Sequence, residues 1–209
     1  MTNAATFWDK TAEKYAESPI ADLDSYNFTL ERTRRYLSPN DRVLEVGCGT
    51  GSTALLLAGD VGRIVASDFS PKMIEIAQRK ARDEGVTNAE FITADLLDDP
   101  VGDGPYDAVL AFNVLHLLPD SPAAIQRFHG LLKPDGLFIS KTVCQPGKGA
   151  PLKFRLLKAL LPVMQWVGLA PYVNFMSSRT LDDTIEAQGF KVIETHDQAP
   201  SRYIVARKV

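Results

Sequence analysis

The stretch Val43-Leu44-Glu45-Val46-Gly47-Cys48-Gly49-Thr50-Gly51-Ser52 decides how this chain folds. A short apolar run ends at Val46, three glycines follow at alternate positions, and residues 52–58 (STALLLA) read as a helix. Glycine tolerates positive φ and lets a ligand touch the backbone. A loop of this kind, leaving the first strand of an open α/β sheet, faces the crevice in which such folds bind ligands. A nucleotide-like ligand is expected at this loop.

Outward from the loop, short runs rich in Val, Ile, Leu or Phe alternate with helix-like stretches, the pattern of a parallel sheet covered by helices. Strands are expected over 42–46, 63–67, 89–93, 106–112 and 136–143. Residues 71–84 place Met73, Ile74, Ala77 and Ala81 at helical spacing, with Ser70 as N-cap before Pro71 and Gly85 as the stop. Further helices are expected over 122–132 and 179–188, and ahead of the sheet over 7–17 and 27–37, where they would cap its ligand-binding edge. Residues 190–195 and 203–207 alternate like two antiparallel strands. The sum is an α/β chain with a Rossmann-like seven-stranded sheet, mostly parallel with an antiparallel last strand, and an N-terminal helical cap.

At 209 residues the chain fits one domain of the usual size of about 150 residues with an appended lid. Its 23 Lys and Arg against 26 Asp and Glu, a net charge of −3, argue against a large nucleic-acid footprint and for a small-molecule ligand. Cys48 and Cys144 lie too far apart for a zinc knuckle, and no other metal-ligand spacing stands out, so no metal is expected. There is no basic start followed by an apolar segment and no apolar run of about 18 residues, so a cytoplasmic protein is expected.

Two nucleotides compete for the glycine loop. Gly49 to Ala54 fits the G-x-G-x-x-A dinucleotide pattern with Asp68 downstream, which would make the chain an NAD-dependent oxidoreductase. The strand, however, ends at Val46, so the turn begins at Gly47 and reads G-x-G-x-G. Glu45 immediately before it would repel a pyrophosphate and favour a ligand carrying an ammonium and a sulfonium, as S-adenosylmethionine does.

Glu45-Val46-Gly47-Cys48-Gly49-Thr50-Gly51, Asp68 after the second strand and Ala94-Asp95-Leu96 after the third resemble the class I S-adenosylmethionine-dependent methyltransferases. The segment from Phe7-Trp8 to Tyr15-Ala16 is similar to their ubiquinone/menaquinone-methylase-like branch, and the likeness covers residues 7 to 143. The resemblance implies that Gly47, Gly49 and Gly51 shape the pocket for the methionine part, with Glu45 positioning its charged end and Tyr15 nearby. Asp68 would take both ribose hydroxyls, a task suited to a carboxylate that accepts two hydrogen bonds. Phe69 and Met73 would pack on the adenine, Asp95 would accept from its amino group beside Leu96, and Asn113 would lie near the methyl. On this reading residues 1–40 are the cap, 41–147 the cofactor-binding core, 148–176 a hydrophobic insertion and 177–209 a closing helix and strands. A non-catalytic module that binds the same cofactor is the remaining alternative.

Methyl transfer is an in-line displacement that chiefly needs the acceptor held close and aligned. Where the acceptor must lose a proton, His116, just beyond the fourth strand, is the expected base. Lys141 alternates with Ile139 and Val143 and is read as snorkelling outward in preference to meeting an acceptor. Cys48 reads as a small buried residue and not a nucleophile. The segment beginning at Asn113 is neither Asn-Pro-Pro-Tyr nor Asp-Pro-Pro-Tyr, the pattern of amino-nitrogen methylases, and no Pro-Cys marks a cytosine methylase. Residues 148–173 mix Lys148, Lys153, Arg155 and Lys158 with many apolar side chains. They are expected as a greasy lid over an apolar or aromatic acceptor, with a homodimer contact or a membrane-surface contact as the other uses.

Overall fold

The apolar run ahead of the glycine loop is the central strand β1 (Arg42–Val46), buried from Val43 onward. In the computed structural model, which describes residues 4–145, 160–165 and 170–209, it is flanked on one side by β2 (Arg63–Asp68) and β3 (Ala89–Thr93). On its other side lie β4 (Tyr106–Phe112), β5 (Leu132–Val143), β7 (Ser201–Lys208) and β6 (Phe190–Gln198). The order β3-β2-β1-β4-β5-β7-β6 reverses direction between β1 and β4, which opens the crevice at the carboxyl ends of those two strands. β1 to β5 pair in parallel, whereas β7 is antiparallel to both β5 and β6. The sheet therefore has the seven strands and the antiparallel closure expected of it.

Alternation along each strand divides the core between two faces. Leu44, Val65, Val109 and Phe138 pack on one face with Ile125 and Phe128 of α5 (Ser121–Leu131) and Ile185 of α6 (Ser178–Ala187). Val43, Ile64, Leu110 and Ile139 pack on the other with Leu57 of α3 (Ser52–Ala58) and Ile74 and Ala77 of α4 (Pro71–Asp83). The Ser70 hydroxyl caps α4 by accepting from Met73 N at 3.2 Å, and Gly85, at φ +69°, ends that region.

Several boundaries differ from the sequence reading. The β2 strand includes Asp68. The β5 strand starts at Leu132, ahead of the expected 136, and carries a bulge: its partners jump from Tyr106–Leu132 to Ala108–Leu137, and Asp135 takes φ +62°. Helix α2 (Leu23–Arg34) begins four residues before the expected position because Asp22 caps it, accepting from Ser25 N at 2.9 Å. Of the expected hydrophobic insertion, residues 146–159 and 166–169 lie outside the described residues, and 160–165 are helical. Among the described residues no helix is long and apolar enough to cross a membrane.

Helix α2 lies against the antiparallel end of the sheet. Arg32 forks onto both carboxylate oxygens of Glu194 on β6, with Nη2 donating to Oε2 at 2.7 Å. Tyr36 OH also donates to Oε2, at 2.5 Å, and His196 Nε2 lies 3.0 Å from Oε1. These partners, Arg32 first, pull the Glu194 carboxyl down to about 2. A depressed carboxyl adds stability above its unfolded value that is lost as pH falls through its folded value. Glu194→Gln is therefore expected to cost about 1.5–3 kcal/mol in urea unfolding at neutral pH. The difference from wild type should shrink below the unfolded carboxyl value and vanish as pH falls through about 2.

Candidate functional site

The crevice at the carboxyl edge of the sheet is a cavity of about 720 Å³, within the range of about 300–1,000 Å³ usual for small-molecule sites. The ends of β1 to β5 supply its floor. Gly47, Cys48, Gly49 and Thr50 follow β1, Asp68 ends β2, and Asp95 and Leu96 follow β3. Asn113 follows β4, and Lys141 lies near the end of β5. Helix α1 (Ala4–Glu17) contributes Trp8, Tyr15 and Ala16 from above, and Tyr26, Thr29 and Leu30 come from α2.

Gly47 is at φ +65°, and a Cβ there would stand 2.6 Å from Val114 Cγ2, so both its backbone and its neighbour require glycine. Gly49 is at φ +54°, with Tyr15 Cε1 placed 3.8 Å from where its Cβ would be. The Tyr15 ring thus rests on the loop itself. Gly51 acts differently from its expected role, since it does not line the cavity. It is the left-handed N-cap of α3, and a Cβ there would strike Phe91 at 2.6 Å and Ala77 at 2.7 Å.

Two carboxylates converge on this loop. Asp68 Oδ2 accepts from Gly49 N at 2.9 Å and its Oδ1 from Ser70 N at 2.9 Å. One bond per oxygen leaves each able to accept another. Burial raises the Asp68 carboxyl above the usual range, and the amides of Ser70 and Gly49 oppose that rise. Glu45 is only 3% exposed, and its Oε2 has no hydrogen-bond partner among the described residues. Burial pushes its carboxyl up to about 8, against the pull of the Ala54 backbone amide and with a further push from Asp68. An orphaned buried carboxylate oxygen in a cavity wall fits the positively charged end of a ligand.

Helix α1 is fastened over this corner. Asp9 Oδ1 accepts from Ser70 Oγ at 2.6 Å and from Lys72 N at 3.2 Å, both at the start of α4. Ala12 and Trp8 pack on Met73 and Ile76. Met73 is thus both core and wall, and Phe69 joins it in the lining. Asp95 stands at the exposed rim, where its Oδ1 caps the turn by accepting from Leu97 N at 2.9 Å. Asn113 takes φ +57° and donates its amide to Lys141 O at 2.7 Å.

His116 does not join this group. It lies on the short 3₁₀ turn Leu115–Leu117 and is buried, and its neighbours Val114 and Leu117 line the cavity while it does not. Its Nδ1 has no partner among the described residues, and burial brings the ring down to about 4. A general base works best with a value near the operating pH and within reach of the substrate. The geometry therefore gives no support to the expected base role. Lys141 is corrected in the opposite sense: it is 8% exposed and lines the cavity, and does not snorkel outward. Burial raises the Cys48 thiol well above its ordinary value, away from the thiolate form that a nucleophile needs.

Sequence reasoning missed Tyr26, whose hydroxyl shares a 3.3 Å hydrogen bond with Thr53 Oγ1 in the wall, and Tyr172 at the mouth. The signal for Tyr26 was Asp22, a capping residue that starts α2 early enough to place Tyr26 on the helix.

A Rossmann-like sheet with a carboxylate-walled glycine loop at its switch point defines a protein built to hold a nucleoside-type ligand. Residues 43–136 match the family described as Methyltransferase domain. The chain is 32% identical over 149 residues to demethylmenaquinone methyltransferase of Thermus thermophilus, covering 70% of this chain and 66% of that protein. It is 34% identical over 101 residues to 2-phytyl-1,4-naphtoquinone methyltransferase of Nostoc sp., covering 46% and 44%. The chain thus spans from under half to about two thirds of the length of these relatives. In fold it matches magnesium protoporphyrin IX methyltransferase from Synechocystis with bound S-adenosylhomocysteine, at TM-score 0.72 and 21% identity over 98% of this chain and 95% of that one. Residues 43–136 thus form a methyltransferase domain of the class I S-adenosylmethionine-dependent kind, and the chain is similar to quinone-type methyltransferases.

Gly47→Ala should reveal how tightly the loop is constrained. Backbone strain and the overlap with Val114 together predict a loss of about 2–4 kcal/mol in chemical unfolding. Adding Val114→Ala should recover the steric part and leave the part due to positive φ.

Proposed function

We propose that this chain binds S-adenosylmethionine in the 720 Å³ cavity and transfers its methyl group to a small, apolar or aromatic, quinone-like acceptor. The observation that carries this reading is the pair of buried carboxylates around one glycine loop, Asp68 bonded to Gly49 N and Glu45 with an unpaired oxygen. When bound, the cofactor supplies a methyl group activated by a sulfonium. The chain's own residues would hold and orient. Glu45 would face the ammonium and sulfonium end, where a cation would draw it into its charged form, whereas the pyrophosphate of NAD would gain nothing from it. Asp68 would accept from the ribose hydroxyls with its two remaining acceptor positions. Phe69, Met73 and Leu96 would enclose the adenine, with Asp95 at the rim. Tyr15 and Trp8 would cover the site from α1 and exclude water.

The acceptor would enter beside Asn113, where Ile20, Phe112, Leu117 and Tyr172 give the wall an apolar and aromatic character. The names of the relatives from Thermus and Nostoc point the same way, both being quinone-type methyltransferases. With His116 outside the cavity, proximity and desolvation are left to supply most of the acceleration.

Asp68→Ala is expected to weaken S-adenosylhomocysteine binding by about 10–100-fold in calorimetric titration, the cost of hydrogen bonds to a charged group. Unchanged affinity in a folded variant would remove the ribose assignment. A second expectation concerns pH. The free Glu45 carboxyl sits at about 8, and a cation beside it must lower that value, so binding below it releases a proton. The ratio of wild-type to Glu45→Gln affinity should then rise between about pH 6.5 and 8.5 and level off above, the ligand's own titration cancelling in the ratio.

A further inference from the structure

Lys141 is the single basic residue in the cavity lining among the described residues. It lies on β5, two strands from Glu45 on β1, or roughly 10 Å along the sheet edge. Its ammonium donates to Ser25 O at 3.1 Å and Ser25 Oγ at 2.7 Å. The Ser25 hydroxyl in turn donates to Gln198 Oε1 at 2.9 Å, so it serves Lys141 as an acceptor. An ammonium carries three protons, and here two go to neutral oxygens of one residue.

None goes to a carboxylate. Asp22, the N-cap of α2, is the one acid whose field acts on it, opposing the downward pull of burial. The stretches outside the described residues, 1–3, 146–159 and 166–169, contain no Asp or Glu that could pair with it. A buried cation without a counter-ion is costly, and the cost is removed when an anion completes the site. The acids of the cavity, Glu45, Asp68, Asp95 and Asp98, all lie on or just after β1, β2 and β3, whereas Lys141 follows β4 in sequence and occupies the acceptor side. Its cross-strand partners there are Phe112 and Tyr203, both aromatic.

We infer that Lys141 is the anion-binding residue of the acceptor site, and that the acceptor presents an ionised ring oxygen, an enolate or phenolate, to the third ammonium proton. The hydroxyl proton of such an acceptor passes to bulk water before binding, so no protein base is called for. This assignment rests on the methyltransferase reading and narrows its acceptor to a flat, acidic hydroxy compound.

The test uses two probes of nearly equal shape, 2-hydroxy-1,4-naphthoquinone, an anion near neutral pH, and its neutral ether 2-methoxy-1,4-naphthoquinone. Each is titrated calorimetrically into the protein saturated with S-adenosylhomocysteine. Wild type should bind the anion about tenfold or more tighter than the ether. Lys141→Met should lose that preference while keeping its affinity for the ether and for S-adenosylhomocysteine, and Lys141→Arg should keep most of it. S-adenosylhomocysteine affinity also reports that each variant is folded. No preference in wild type, or a preference that survives in Lys141→Met, overturns the inference. Failure of wild type to bind S-adenosylhomocysteine overturns the cofactor reading instead, and this inference with it.

Discussion

Everything at the functional edge depends on how β1 ends. Gly47, Gly49 and Gly51 all take left-handed backbone conformations, which lets the chain leave the strand and enter α3 within five residues. Val114, Phe91 and Ala77 then close in to distances that a side chain on Gly47 or Gly51 would forbid. The turn is therefore locked by packing from the β4 side and from the α4 side at once. It fixes the Gly49 amide against Asp68 and sets Glu45 beneath the loop. A looser turn would leave two carboxylates without a common focus.

That focus is electrostatically unfavourable in the free protein. Burial raises both carboxyls, and a neighbouring acid raises each further, Asp68 acting on Glu45 and Asp9 acting on Asp68. For Glu45 the sign is definite: a carboxyl raised from 4.5 to about 8 contributes stability at low pH that is lost as pH rises between those values. The site thus stores a destabilisation that a cationic ligand reverses, and ligand binding and folding stability are linked through one side chain. Capping from α1 intensifies the effect by excluding water. Asp9 holds that helix to the start of α4 through Ser70, so closure of the site and capping of α4 share a residue.

Much of this was legible in the sequence, and the reason is local. The β1, β3 and β4 strands end where their apolar runs end, and Ser70-Pro71 starts α4 as capping chemistry requires. Gly47, Gly49, Asp68, Asp95 and Asn113 all line the cavity because each lies at or just past a strand end, which fixes its edge of the sheet without knowledge of packing. What failed was side-chain direction. His116 follows β4 and Lys141 lies late in β5, but a 3₁₀ turn keeps the first out of the lining, and an overlying helix brings the second into it. Neither outcome is encoded in spacing. Lys141 lies on a face covered by α2, and the position of α2 is set by contacts with β6, more than 150 residues away in sequence.

Those distant contacts make the acceptor end a product of the whole fold. Arg32 and Tyr36 anchor the far end of α2 to Glu194, Thr33 and Phe28 meet Tyr203, and Ser25 at its start reaches both Gln198 and Lys141. The antiparallel strands β6 and β7 thus act as a bracket that holds α2 at a fixed height above β5. A lysine on a long flexible stem is ordinarily a poor positioning group, because its rotamer entropy must be lost on binding. Here Ser25 removes that freedom in advance, and the position of Ser25 is itself fixed by the bracket. The cofactor end is built from strand ends and a glycine loop, features that sequence spells out residue by residue. The proposed acceptor end is built from a helix clamped by a late hairpin, so a change in that hairpin would displace Ser25 and Lys141 without touching the glycine loop.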